Sequence, residues 1–275
     1  AVAAAADGCE VVFNLAVSPR TGDVARMRAV NLDGARNAAA AARAAGARLV
    51  HASTAAVYGP LPTGAADEEH PARPERPYPA SKLAAEAAVA DATAGSGLPV
   101  TIARISQVYG PGARRAVGPY RAALRPVTPV VGDGTQLIDV VHVDDVVAGL
   151  RACAARTEAG PRVYNLAGGA PVRARDLLAA IAAADGRRLR LVRLPRAPFA
   201  ALAAVNRRVL LPRGLDTAFQ HRVMRVPASA AYPIGRAAAE LGYRPAVPLA
   251  RGVADTLAWY RRHGLIGNHP REDGA

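Results

Sequence analysis

Arg48-Leu-Val-His-Ala-Ser-Thr-Ala-Ala-Val-Tyr-Gly59 joins a short apolar run to small hydroxyl residues and a glycine, the pattern of a buried strand ending at a ligand-binding edge. Arg48 to Ala52 reads as a strand, which runs into the small hydroxyl residues Ser53 and Thr54 and then breaks into a loop. Working outward, Glu10 to Ala16 reads as a buried strand and Asp23 to Ala45 as a helix closed by Gly46 at its C-cap. Pro60 to Pro77 is a turn-rich loop, Tyr78 to Ala94 a helix stopped by Gly95 and Gly97, and Val100 to Arg104 a strand. Leu137 to Val141 and Arg162 to Leu166 are further strands, with a helix from Val143 to about Ala155 between them. Short apolar β-type runs alternating with Ala-rich helical stretches specify an α/β chain with a parallel sheet and helical crossovers. From Pro171 onward the chain turns helical, Arg-rich and Pro-punctuated, as a smaller lobe would be.

The composition narrows the class. Hydrophobic residues are 51% of 275 and charged residues 21%, which supports a sizeable core and excludes a disordered chain. No apolar run reaches the roughly 18 residues of a membrane span, and no signal-peptide pattern is visible. Cys9 and Cys153 lie far apart, which excludes a disulfide framework and a cysteine zinc site; no metal site is expected. The chain reads as cytoplasmic. The formal charge of +13 raises the question of nucleic acid. Part of it gathers in Arg187, Arg188, Arg190, Arg193, Arg196, Arg207, Arg208 and Arg213. Only Phe199 interleaves with them, so base stacking is unsupported and no nucleic-acid partner is expected. The remaining readings are a solvated Arg-rich face or a basic cover over an anionic substrate.

The strongest local signal is Tyr78-Pro-Ala-Ser-Lys82. Positions i and i+4 share a helix face, and an ammonium there favours phenolate over phenol, lowering the Tyr78 pKa. A tyrosine so tuned passes a proton to or from a substrate hydroxyl. Lys82 is the only lysine in a chain that otherwise uses Arg, and a planar guanidinium does not replace a compact ammonium. Thr54 ends a strand ahead of this segment, at the carboxyl edge where α/β sheets bind ligands. Its hydroxyl either bonds the reacting oxygen or simply closes a turn. The dipeptide Asp144-Asp145 that follows His142 reads as a helix N-cap rather than part of a metal site, and Glu68-Glu69-His70 as a solvated loop.

These segments resemble the extended short-chain dehydrogenase/reductases, the NAD-dependent epimerase/dehydratase family. The resemblance extends through Val12-Phe-Asn-Leu-Ala16, Asn31-Leu-Asp-Gly34 with Asn37, Ser53-Thr-Ala-Ala-Val-Tyr-Gly59 and Pro77-Tyr-Pro-Ala-Ser-Lys82. It continues in Arg104-Ile-Ser-Gln-Val-Tyr-Gly-Pro-Gly112, Gly132-Asp-Gly134, His142-Val-Asp-Asp145, Tyr164-Asn-Leu-Ala-Gly168 and Glu240-Leu-Gly-Tyr-Arg-Pro245. It implies a Rossmann-like doubly wound sheet over residues 1–167 and a smaller, mostly helical substrate lobe over 168–275, the two interleaved. Carried over residue by residue, it implies Thr54, Tyr78 and Lys82 as catalytic residues. Ala16, Asn31, Ser53, Tyr78, Lys82 and Ile105 would line NAD or NADP, and Thr54, Gln107 and Ile138 would contact a small-molecule substrate; a homodimer is left open.

Two departures matter. The family's opening strand and Gly-x-x-Gly-x-x-Gly turn do not occur, so ~60 residues of first βα units are expected to precede Ala1 and the segment alone to be inactive. Gln136-Leu-Ile-Asp139 carries Ile138 where the family's nucleotide-sugar enzymes carry an Arg for the diphosphate. That favours hydride transfer at a CHOH/C=O carbon of an apolar substrate, in the manner of 3β-hydroxysteroid dehydrogenases and flavonol reductases. The alternative is a nucleotide-sugar epimerase or dehydratase, and a non-catalytic NAD(P)-fold binding protein is the alternative of another class. The apolar Phe199 to Leu211 stretch suits either an apolar substrate lid or a packing helix.

Overall fold

Four parallel strands in the order β1 (Val11–Asn14), β2 (Arg48–Thr54), β3 (Pro99–Ile105) and β8 (Gly160–Leu166) carry the site. The computed structural model describes residues 1–18, 23–61, 64–205, 208–209 and 229–267. Arg207, Arg213 and the end of the Phe199 to Leu211 stretch lie outside the described residues.

Alternation along β2 decides what each face holds. Leu49 packs with Ala35, Ala39 and Ala42 of α3 (Gly34–Ala45) and with Ala85 and Val89 of α4 (Pro77–Thr93). Val50 points the other way, into a cluster with Val146, Leu150 and Cys153 of α6 (Val143–Ala155) and Ala237 of α9 (Gly235–Glu240). Helices therefore cover both faces of the sheet, the doubly wound arrangement. His51 and Ser53 share the face of Leu49 and look toward α4. A helical reading of Asp23 to Ala45 is realised as α2 (Val24–Arg28), one π turn over Ala29–Asp33, and α3. Asp23 caps it by accepting the Arg26 N–H at 2.8 Å, and Gly46 ends it at φ 65°. Such single π turns mark places where a helix re-aims a side chain, and this one contains Asn31.

A second core joins α5 (Val117–Ala123), α7 (Ala174–Ala184) and α10 (Leu249–Arg262). Tyr109, Tyr120, Val140, Leu177, Ile181, Val253, Leu257 and Tyr260 meet there. It draws on residues from both sides of position 167. The lobe also holds more strand than the sequence suggests: β5 (Thr128–Val131) pairs with β10 (Leu191–Leu194), and β9 (Val172–Arg173) with β6 (Leu137–Ile138).

Three sequence expectations need correction. Leu137 to Val141 is two strands, because the chain changes partners at Asp139: β6 is antiparallel to β9, while β7 (Val140–His142) is parallel to β4 (Gln107–Tyr109). The buried Asp139 carboxylate fixes the break by accepting the N–H groups of Gly168 at 3.2 Å and Tyr232 at 2.8 Å. Glu68 is not solvated: its side chain is buried and accepts the Asn165 N–H at 2.7 Å. His142 itself caps α6, accepting the Asp144 N–H at 3.3 Å, while Asp145 accepts the N–H groups of Ala246 and Val247.

Gly168 closes β8 under the strand that follows Asp139, where an added Cβ would stand 2.1 Å from the Val140 carbonyl oxygen. Gly168→Ala therefore forces two backbone segments apart and is expected to cost ~1–3 kcal/mol or more, read as a lowered urea midpoint. An unchanged midpoint would mean that the junction is looser than described.

Candidate active site

Pro77 opens α4 at a position where its missing N–H costs nothing. Tyr78, Lys82 and Glu86 then follow at successive turns of one face. Lys82 is 2% exposed, and its ammonium has no hydrogen-bond or ion-pair partner among the described residues. Burial lowers its pKa to about 8, with the Glu86 charge opposing. The Tyr78 hydroxyl does not behave as the Tyr-x-x-x-Lys spacing suggests. Burial raises it above its ordinary value, and the charge that counters this is Arg115, from the turn Arg114–Ala116. In the protein alone the phenol is therefore held protonated.

Asn31 places α4 against the end of β1. Its Oδ1 accepts the Ser18 N–H at 2.7 Å, and its Nδ2 donates to the Ser18 carbonyl at 3.1 Å and to Ser81 Oγ at 2.9 Å. Ser81 in turn donates to the Tyr78 carbonyl at 2.7 Å. Asn31 thus uses its whole amide in positioning the first turn of α4 and the 16–18 segment, where Ala16 is exposed. The π turn is what aims it there.

Ser53 and Thr54 end β2 beside Ile105 of β3, Thr54 being in register with Ile105. The Ser53 hydroxyl donates to Glu86, and Arg104 donates to both Glu86 oxygens, from Nε at 3.2 Å and from Nη2 at 2.7 Å. The Arg104 guanidinium also lies 4.9 Å from the centre of the Tyr58 ring, whose hydroxyl donates to Asn165 at 2.7 Å. Thr54 Oγ1 accepts the Ala56 N–H at 3.3 Å and so caps the turn Ala55–Tyr58, the plainer of its two sequence readings. Gln107 is half-buried on β4. Ile138 packs against the second core and pairs in register with Val172. Its side chain has a packing task of its own, so the absence of Arg at this position carries less weight about the substrate.

Glu86, Arg104 and Asn165 are residues to which sequence reasoning gives no role at the site. The signal for the first two is present: Glu86 stands one turn after Lys82 among alanines, and Arg104 ends an otherwise apolar strand. Asn165 stands inside the Tyr164 to Gly168 motif, which assigns it no partner.

His51 is fully buried on the same face, its Nδ1 3.0 Å from Asn14 Nδ2. Burial first, and the Lys82 charge second, lower its pKa to about 3 from 6.5. Between those values the unfolded chain binds a proton that the folded chain refuses. Stability contributed by the neutral ring is thus fully present above pH 6.5 and lost as pH falls toward 3. One such proton gives a slope of about 1.4 kcal/mol per pH unit. Urea denaturation of His51→Phe between pH 4 and 6.5 should show the slope reduced by that amount; an identical slope would contradict the assignment.

Residues 1–167 match the sequence model of the NAD dependent epimerase/dehydratase family. A dTDP-glucose 4,6-dehydratase of Streptomyces griseus is 34% identical over 232 residues, 82% of this chain and 62% of that protein. A 3beta-hydroxysteroid-dehydrogenase/decarboxylase (isoform 2) of Arabidopsis thaliana is 27% identical over 296 residues, 99% of this chain and 52% of that protein. The chain spans about three fifths of the length of the dehydratases it matches. Among solved structures, MoeE5 in complex with UDP-glucuronic acid and NAD superposes with a TM-score of 0.74 at 26% identity, covering 95% of this chain and 82% of the other. With a family match over more than half of its length and a doubly wound sheet that positions Tyr78 and Lys82 on one helix face, the chain belongs to the NAD-dependent epimerase/dehydratase family.

Proposed function

We infer that this protein catalyses hydride transfer at a CHOH/C=O carbon of a small molecule, with Tyr78 moving the proton. The observation that carries the reading is Lys82, a buried ammonium whose hydrogen-bond donors have no partner among the described residues. A buried cation left in that state is costly unless something else takes its hydrogen bonds, and the hydroxyls of a nicotinamide ribose are the right chemistry. The residues present fit that end of the cofactor. Lys82 would hold the ribose, while Ala16, Ile105 and the Ser53 backbone would line it; Asn31 and the Ser53 hydroxyl are already committed within the protein. When bound, the nicotinamide supplies the hydride donor or acceptor. Tyr78, kept protonated by burial, gives its proton to a substrate oxygen that gains charge, or regains one when the reaction runs the other way. Arg115 adds a cation beside that hydroxyl. The protein works as a cytoplasmic enzyme, and the choice between NAD and NADP belongs to parts of the site remote from Lys82.

Two substrate classes are supported. A sugar nucleotide is favoured by the likeness to dTDP-glucose 4,6-dehydratases, which reaches 34% identity, and by the Arg115 charge next to Tyr78. A hydroxysteroid-like apolar alcohol is favoured by an alignment that extends over 99% of the chain. Ile138, half-buried against the second core, does not by itself decide between them.

In the full-length protein, Tyr78→Phe is expected to lower kcat ~10²–10⁴-fold with little change in cofactor affinity. Lys82→Arg should weaken cofactor binding, measured by calorimetry, because charge is kept and shape is not. Turnover of Tyr78→Phe within a few-fold of wild type would refute the proton-transfer role. For the substrate class, inhibition by UDP or dTDP that weakens with added salt supports the sugar nucleotide. Inhibition by a steroid alcohol with none by either nucleotide supports the other class.

A further inference from the structure

The buried carboxylate of Glu86 lies one turn beyond Lys82, yet the two do not form an ion pair among the described residues. Both Glu86 oxygens are taken, by the forked Arg104 guanidinium and by the Ser53 hydroxyl. Arg104 is held from its other side by the face of the Tyr58 ring, and Tyr58 by Asn165. The carboxylate is fixed from two strands and cannot swing toward the ammonium above it.

We propose that Glu86 is a positioning residue that acts through Lys82: a clamped counter-charge that keeps the lysine an ammonium inside the protein while leaving its N–H donors free. A free Lys–Glu pair one turn apart would collapse into a contact ion pair and spend those donors. A lysine with no carboxylate nearby would shed its proton on burial. Clamping the carboxylate with Arg104 and Ser53 avoids both outcomes. This inference rests on the functional reading above, since it explains how Lys82 is kept ready for a cofactor. Glu86 on α4 and His51 on β2 act on Lys82 by charge, Tyr78 stands one turn before it on the same helix, and Arg104 of β3 stands behind Glu86. His51 is neutral throughout the neutral range and Tyr78 is protonated, so Glu86 supplies the negative charge.

Lys82 is the only lysine of these 275 residues, and its ¹⁵N side-chain signal, assigned by its loss in Lys82→Arg, is followed through a pH titration in cofactor-free protein. The wild-type midpoint is expected near pH 8. Glu86→Gln should lower it, corresponding to proton binding weakened ~10-fold. Arg104→Gln should raise it, because a positive charge is lost and the carboxylate is released to approach Lys82. A role confined to packing would move both midpoints the same way or neither, and either result overturns the proposal. Should the single variants fail to fold with one charge left unpaired, the double variant Glu86→Leu/Arg104→Met removes both charges together. Its midpoint should still fall, since the nearer charge has gone, and an unchanged midpoint overturns the proposal. The titration uses neither cofactor nor substrate. Its failure leaves the functional reading standing, and absence of NAD binding would remove that reading while leaving the titration intact.

Discussion

The buried pair between Glu86 and Arg104 is the constraint on which the rest of the site depends. It ties the helix that carries Tyr78 and Lys82 to β3, one of the two inner strands of the sheet, with bidentate geometry at 2.7–3.2 Å and both side chains almost fully buried. Such a pair contributes little net stability, because removing two charges from water offsets their attraction. Losing one partner is another matter and costs ~3–5 kcal/mol, a large share of the ~5–15 kcal/mol that holds a domain folded. What the pair fixes is therefore geometry. The height of α4 above the sheet, the ends of β2 and β3, and through Tyr58 and Asn165 the end of β8 are all referred to one carboxylate. Asn31 does the same at the other end of the helix, setting its first turn against the segment after β1.

Much of this architecture is legible in the sequence. The helix read at Tyr78 to Ala94 is found at Pro77–Thr93, and Gly46 ends its helix in the left-handed conformation expected of a C-cap. These are local features, set by periodicity and by capping residues. The features that escape are those decided by distant partners. Asp139 splits a run that reads as one strand, through amides 29 and 93 residues away. Glu68 reads as a solvated loop residue and is buried by an amide 97 positions on.

The same distinction holds at the site. Tyr78 and Lys82 are found by spacing, but the direction in which the tyrosine shifts is not, because burial raises it and the charge that opposes burial is Arg115. Ile138 shows the converse: read by motif, it speaks about a substrate, and in the folded chain the half-buried side chain also packs against the second core. The two proposed substrate classes therefore rest on Arg115 and on the likeness to relatives named for different molecules, while Tyr78 and Lys82 are common to both proposals.

The central claim is that the unpartnered Lys82 ammonium is a cofactor contact. Recording the ¹⁵N side-chain signal of Lys82, assigned by its loss in Lys82→Arg, as NAD, and separately NADP, is added to the full-length protein tests this directly. The account predicts a saturable shift of the Lys82 signal with one of the two dinucleotides, absent with AMP alone. A signal that stays in place while calorimetry shows the dinucleotide bound would contradict it.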